Sequence, residues 1–297
     1  MLYSIITSSY NSGEGLLKTV RSVLAQTGLK AASEEQGTEG YAAEILVQDA
    51  GSTDDSVEKL LQEENVKTAI NRGILKLTAE SDKGVYDGMN KALERAAGEY
   101  VLFLNCGDTF HDTEVLRKVT GFIAAVSLEK TEDEAGSGQE MPCIFYGNTY
   151  CINRKAVDAS PRVVDGFTCY RNIPCHQSCF YDRRLFAEKK YDLQYRIRAD
   201  YDHFLWCFYE AKAEMIYMDL VIADYEGGGI SETKENRKKD RAEHKAITET
   251  YMDPKDLKRY RRTMALSLAP LRTAMAESRL FSGPYHQVKK LVYGRKK

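Results

Sequence analysis

The chain has 297 residues, enough to bury a full core in one large α/β domain with or without an appendage. With 43% hydrophobic residues, 29% charged residues and a formal net charge of −2, it has no overall field that argues for nucleic acid or an acidic substrate. Seven cysteines without small-domain spacing read as buried, reduced thiols of a cytoplasmic protein, not as a disulfide framework.

Short apolar runs alternate with helical periodicity through the first half, which predicts βα units around a mainly parallel sheet. The chain enters at once on a strand over residues 2–7, without a signal-type leader, and no apolar run reaches transmembrane length. Leu16, Leu17, Val20, Val23 and Leu24 have helical spacing and end near Gly28. Strands follow over 44–49, 74–78 and 100–104, separated by a helix over 53–64 and by one whose face carries Val85, Met89, Ala92, Leu93 and Ala96. Val115, Leu116, Val119, Phe122 and Ile123 mark the next helix, while 30–43 and 127–141 read as solvated surface insertions. Beyond Cys143, strands are expected at 144–150 and 178–181, then a helix bearing Tyr201, Phe204, Leu205, Phe208 and Tyr209. Two strands at 215–218 and 221–225, a tight turn at Gly227-Gly228-Gly229 and helices from Glu232 onward complete the reading.

Each of the first four strands ends in a polar cluster, and parallel strands would open all four on one sheet edge. Ser8-Ser9-Tyr10-Asn11 is the first: Tyr10 offers a ring face to a nucleobase, or packs while Asn11 caps the next helix, and both readings stand. Gly13-Glu14-Gly15 is not a dinucleotide loop, because Lys18 stands where a third glycine belongs. In the second cluster, from Gln48 to Asp55, Asp49 reads as ligand-facing, with Asp54 and Asp55 in the first helical turn, where they favour the helix dipole. The third runs from Ser81 to Lys91 and puts Asp87 and Asn90 on one helix face. The fourth is Asn105-Cys106-Gly107-Asp108. A carboxylate just past a buried strand can take Mn²⁺ or Mg²⁺, hard ions that prefer oxygen and bridge phosphates. One carboxylate and one amide are too few ligands, so a donor diphosphate must supply more. Cys175-His176-Gln177-Ser178-Cys179 lacks the second ligand pair of a zinc site; His176 reads either as a core histidine or as a ligand near acceptor or metal.

Together these residues resemble glycosyltransferase family 2, inverting transferases with the glycosyltransferase A-type fold. Ser9-Tyr10-Asn11 resembles the T-x-Y-N opening, Asp49-Ala50-Gly51-Ser52-Thr53-Asp54 the D-[DG]-G-S-T-D motif, and Thr19, Ser22, Val23 and Gln26 the first helix. Residues 81–91 are similar to the S-D-x-G-[IV]-Y-D-A-M-N-K form of a polysaccharide-synthesising branch, and 98–108 to its strand and metal motif. Weaker similarity continues at His176-Gln177, Ala199-Asp200-Tyr201-Asp202 and Gly228-Gly229-Ile230-Ser231.

The resemblance implies an α/β, Rossmann-like mixed nucleotide-binding sheet flanked by helices, with a helical C-terminal extension. A catalytic domain is expected over 1–231, its donor half over 1–110 and its acceptor half over 143–231, with a basic helical extension over 232–297. Donor contacts are expected from Ser9, Tyr10, Asn11, Asp49, Asp82, Lys83, Asn90 and Asn105, and a Mn²⁺ or Mg²⁺ ion on Asp108, with His176 a further candidate. The general base for the acceptor hydroxyl is Asp200 or Asp202; Asp200 also suits a helix N-cap. The chemistry is a single in-line displacement from a nucleotide-sugar donor to a saccharide or lipid-linked saccharide, with inversion, in surface polysaccharide synthesis. Asn105 and Gly107 stand where many relatives are acidic, so metal binding is expected to depend on the donor.

Two rivals remain in view. Sugar-phosphate nucleotidyl transfer would need a Gly-rich phosphate loop followed by Arg and Lys, which residues 8–17 lack. A non-catalytic nucleotide-sugar-binding module would read Asn105 and Gly107 as decay of the site. The segment 254–297 holds twelve Lys or Arg against two acidic residues, and Leu257, Tyr260, Met264, Leu268, Leu271 and Met275 share a helical stripe. That pattern suits docking on an anionic membrane from the cytoplasmic side, or an ordinary packed helix with a solvated basic face.

Overall fold

The structure is a computed structural model that describes residues 1–31, 40–133, 141–227 and 236–266. It opens with β1 (Tyr3–Ser9), α1 (Glu14–Leu24) and a two-residue strand, β2 (Leu29–Lys30). After β3 (Tyr41–Asp49) come α2 (Ser56–Gln62), α3 (Glu64–Asn71), β4 (Leu75–Ala79), α4 (Val85–Leu93), β5 (Tyr100–Phe103), β6 (Thr109–Phe110) and α5 (Val115–Asp133). The second half runs β7 (Cys143–Cys151), β8 (Ala156–Asp158), α6 (Gly166–Arg171), a 3₁₀ turn (His176–Ser178), β9 (Cys179–Asp182), α7 (Arg183–Glu188), α8 (Ala199–Tyr209) and β10 (Glu214–Tyr225). α9 (Asn236–Tyr251) and α10 (Pro254–Leu266) follow.

The strands form one ten-stranded mixed sheet. β3 pairs in parallel with β4 and β1, and β1 in parallel with β5. β9 then lies antiparallel between β5 and β7, β10 runs parallel to β7, and β6 closes antiparallel on β10. Apolar faces of α1, α4 and α5 cover the sheet: Leu16, Val20 and Val23, then Met89 and Ala92, then Leu116 and Val119 are all buried.

The structure differs from the sequence expectation at particular places. Residues 41–43 are not insertion but the start of β3, whose nine residues are all buried. Tyr-Ala-Ala has weak strand propensity, and neighbouring strands on both sides override it. Residues 127–133 continue α5, while 32–39 and 134–140, the rest of the two expected insertions, lie outside the described residues. The single helix expected over 53–64 is two, broken at Glu63, which adopts extended backbone. The two strands expected at 215–225 are one, because β10 follows β7 through irregular register between Tyr217 and Ala223. Gly228, Gly229, Ile230 and Ser231, and the tail stripe from Leu268 on, lie outside the described residues.

The chain divides into two compact units, one of Met1–Val164 with Ile173–Ile247 and one of Asp165–Asn172 with Thr248–Lys297. Within the second, Phe167 and Tyr170 pack on Tyr260 at ring separations of 5.5 and 5.6 Å. Among the described residues no helix is long and apolar enough to cross a membrane.

Candidate active site

Because β1, β3, β4 and β5 are parallel, their polar ends share one edge. Backbone hydrogen bonds carry the register past the strands: Ala50 N–H donates to Ser9 O at 2.9 Å, and Glu80 N–H to Asp49 O at 2.8 Å. Asn11 adopts φ 47° and its side-chain oxygen accepts the Thr53 N–H at 2.8 Å, which ties the first loop to the second. The Asp49 carboxylate is buried and accepts N–H groups of Gly51 and Ser52 at 3.0 and 2.7 Å, so it shapes its own turn. Ser9 meets the Ser12 hydroxyl at 3.0 Å, and Tyr10 stands 63% exposed beside them, an available ring face.

On the third loop, Asp82 accepts the Gly84 N–H at 2.9 Å, and burial raises its carboxyl above the ordinary range. Its oxygen lies 2.6 Å from where a Cβ on Gly88 would stand, so the helix face there is kept bare for it. Lys83 is exposed. Asn90 faces elsewhere: its amide donates to Tyr191 O at 2.8 Å and accepts Tyr191 N–H at 3.0 Å, fixing the segment ahead of α8.

The turn after β5 is built by α1. Fully buried Thr19 donates to Asp108 O at 2.7 Å and accepts the Gly107 N–H at 3.0 Å, and Gly107 takes φ 96°. Ser22, one turn further along α1, holds the Phe110 N–H, and Gln26, just past the end of the helix, donates to Asp112 O. Asp108 is 4% exposed; one oxygen accepts the Gln177 amide at 2.7 Å and the other the Glu226 N–H at 2.9 Å. Burial raises its carboxyl, and the neighbouring Glu226 charge adds to that. The Glu226 carboxylate, paired with Lys18 at 3.1 Å, lies against Gly107. Glu226 and Lys18 carried no signal in sequence beyond a lone acid past a strand and a helix lysine.

A second carboxylate lies at the start of α8. Tyr86 O–H donates to Asp200 Oδ1 at 2.8 Å, and His176 Nδ1 stands 3.4 Å from Asp200 Oδ2. Burial pushes the Asp200 carboxyl up, but His176 and Tyr86 outweigh it and hold it below the ordinary range. The other ring nitrogen of His176 meets the Asn105 amide at 3.0 Å. Asp202, by contrast, is 3% exposed and ion-paired with Lys189 at 2.8 Å. The segment ahead of α8 is set from outside the motifs, by Glu243 on α9, whose carboxylate accepts the N–H groups of Arg196, Ile197 and Arg198 at 2.9–3.0 Å. The structure thus joins Asn105, His176 and Asp200 in one chain of contacts and links Asp108 to it through adjacent Gln177.

Comparison with known proteins bears on this arrangement. The Glycosyl transferase family 2 profile matches residues 4–126. A PGL/p-HBAD biosynthesis glycosyltransferase of Mycobacterium bovis is 32% identical over 193 residues, 64% of this chain and 68% of that relative. The chain belongs to glycosyltransferase family 2. It is a glycosyltransferase by that membership, and its fold is the glycosyltransferase A type. Solved structures share the fold. Staphylococcus aureus TarS 1–349 in complex with UDP-GlcNAc matches with TM-score 0.56 and 17% identity over 97% of this chain and 70% of that one. A longer TarS chain is spanned to 37% of its length. The mannosyltransferase PcManGT of Pyrobaculum calidifontis, in complex with GDP-Man and Mn²⁺, matches with TM-score 0.56 and 13% identity over 99% of this chain and 88% of that one.

The chemistry of the Asp108 side chain is compatible with a divalent ion. Asp108 is a desolvated carboxylate beside a like charge, and among the described residues each oxygen accepts one hydrogen bond, so lone pairs remain. Among the described residues no group of three His, Cys, Asp or Glu side chains is placed to hold a metal by itself.

Proposed function

We propose that this glycosyltransferase moves a sugar, with inversion, from a nucleotide-sugar donor to a saccharide or lipid-linked saccharide acceptor in surface polysaccharide synthesis. The observation that carries this reading is the pair of carboxylates, Asp108 and Asp200, linked through consecutive residues His176 and Gln177. Tyr10 stacks on the base; Ser9, Asn11, Asp49, Asp82 and Lys83 form the rim of the nucleotide pocket, and Asn105 lies on the ribose or phosphate side. Asn90 serves the donor site indirectly, through the Tyr191 segment. Asp108 holds Mn²⁺ or Mg²⁺, which supplies neutralisation of the charge developing on the leaving diphosphate.

Asp200 takes the proton of the acceptor hydroxyl as that oxygen attacks the anomeric carbon from the face opposite the leaving group. Its depressed carboxyl keeps it ionised, and Tyr86 leaves Oδ2 as the freer oxygen on a side chain 24% exposed. A base acting on one face and a leaving group on the other make inversion the outcome of a single displacement. The neighbours named for UDP-GlcNAc and for GDP-Man with Mn²⁺ support a nucleotide-sugar donor and a divalent ion. Calorimetry of Mn²⁺ tests the ion site: weak binding to the free chain, at least tenfold tighter binding with UDP or GDP present, and loss of that gain in Asp108→Asn. Tight Mn²⁺ binding without nucleotide would show that a further protein ligand completes the site.

A further inference from the structure

We infer that His176 is a positioning residue for the base Asp200 and not a ligand of the donor-side ion. This inference rests on the reading of Asp200 as the base. The His176 side chain is only 9% exposed, and each ring nitrogen already faces a protein group. Nε2 meets the Asn105 amide at 3.0 Å, and an amide N–H can donate only if Nε2 is unprotonated. The proton of the neutral ring then sits on Nδ1, which faces Asp200 Oδ2 at 3.4 Å. That contact is longer than an ordinary hydrogen bond, and Nδ1 is a buried atom with no other partner among the described residues, so Asp200 is the acceptor it is aimed at.

Tyr86 holds Oδ1 from α4 and the His176 ring stands over Oδ2, so the two side chains limit the turning of the carboxylate and leave Oδ2 the freer oxygen. An ion on Nε2 would have to displace Asn105, and an ion on Nδ1 would have to displace the base. The adjacent residue, Gln177, donates to Asp108, so one three-residue turn sets the spacing of base and ion-binding carboxylate.

The other titratable groups that face Asp200 are Tyr86 from α4, Cys175 and Cys179 on the turn and β9, Tyr181, Tyr191 and, one turn along α8, His203. Burial holds these tyrosines and thiols in their protonated, neutral forms and keeps His203 unprotonated and neutral. Tyr86 is already committed to Oδ1 and His176 is the group that faces Oδ2; losing His176 removes the largest influence that opposes burial, so the carboxyl rises.

Nitrogen NMR of the histidine rings in the full chain tests this directly. The expected result is an Nδ1-protonated His176 whose resonances shift in Asp200→Asn and stay in place when Mg²⁺ and UDP are added together. An Nε2-protonated ring, or a ligand-type shift of either ring nitrogen on adding Mg²⁺ with UDP, would overturn the inference. In hydrolysis of UDP-GlcNAc or GDP-Man, His176→Phe should lower turnover at least tenfold and move the acid limb to higher pH, with Mn²⁺ affinity in UDP unchanged. His176→Gln, which keeps an N–H donor, should recover part of both. If Asp200→Asn keeps full turnover, the base assignment fails, whatever the ring does. If Asp200→Asn is inactive but leaves the Nδ1 resonance unmoved, the positioning role alone fails.

Discussion

Asp200 and Asp202 stand two residues apart, and their surroundings give them opposite work. Asp200 is partly open and held by Tyr86 and His176, whereas Asp202 is shut in with Lys189. Asp200→Asn is therefore expected to lower transfer by 10²-fold or more with UDP affinity unchanged, read by turnover and calorimetry. Asp202→Asn removes the negative half of the ion pair with Lys189 at a buried position and should instead lower stability by about 3 kcal/mol, read by urea unfolding. Sequence alone left these two carboxylates open, with Asp200 also suited to a helix N-cap; the cap is instead Arg198, and both carboxylates sit in the first turn of α8. The residues that separate them, Tyr86 and Lys189, come from other elements. Glu226 went unseen for the same reason, since its nearness to Asp108 exists only after β10 has paired with β7 and β6.

At the scale of elements, α1 does more than cover the sheet. Thr19 and Ser22 lie at i and i+3 on its inner side, and with Gln26, just past its C-terminus, they staple the chain that follows β5. Thr19→Val removes the hydroxyl that donates to Asp108 O and shares the Gly107 N–H with Gly15 O, and is expected to remove about 0.5–1.5 kcal/mol of stability and to weaken Mn²⁺ binding in the presence of UDP. A Cβ on Gly98 would stand 2.4 Å from Ser4 N, a backbone atom that cannot yield, so Gly98→Ala should unfold the chain or lower its melting temperature steeply. Glu243 tests the link between α9 and the base. Glu243→Ala leaves three backbone N–H groups without their acceptor and should lower turnover together with stability. The βα rhythm of the first half was legible because its strands are buried runs between amphipathic helices. β2, β6, β8, α6 and α7 were not, since elements of two to six residues carry fewer than two full periods, too few for a repeat to show.

Across the whole molecule, the parallel half of the sheet followed from period and polarity, and the antiparallel insertion of β9 did not, because pairing partners are set by distant chain. That insertion brings His176 and Gln177 to the edge where the four polar loops open. It also buries His203, stacked on Phe186 at 4.0 Å, and burial lowers the ring from 6.5 to about 3. The unfolded chain binds this proton below about pH 6.5 and the folded chain does not. Stability should therefore fall as pH drops from about 6.5 toward 3, by up to about 1.4 kcal/mol per unit, and His203→Phe should remove that slope in urea unfolding between pH 7.5 and 5. The central claim is inverting transfer from a nucleotide-sugar. It is tested most directly by proton NMR of donor hydrolysis with Mn²⁺, using UDP-GlcNAc and GDP-Man. Consumption of one donor with the inverted anomer formed first, abolished in Asp108→Asn and Asp200→Asn, is the expected result; the retained anomer formed first, or turnover that survives in both variants, would contradict it.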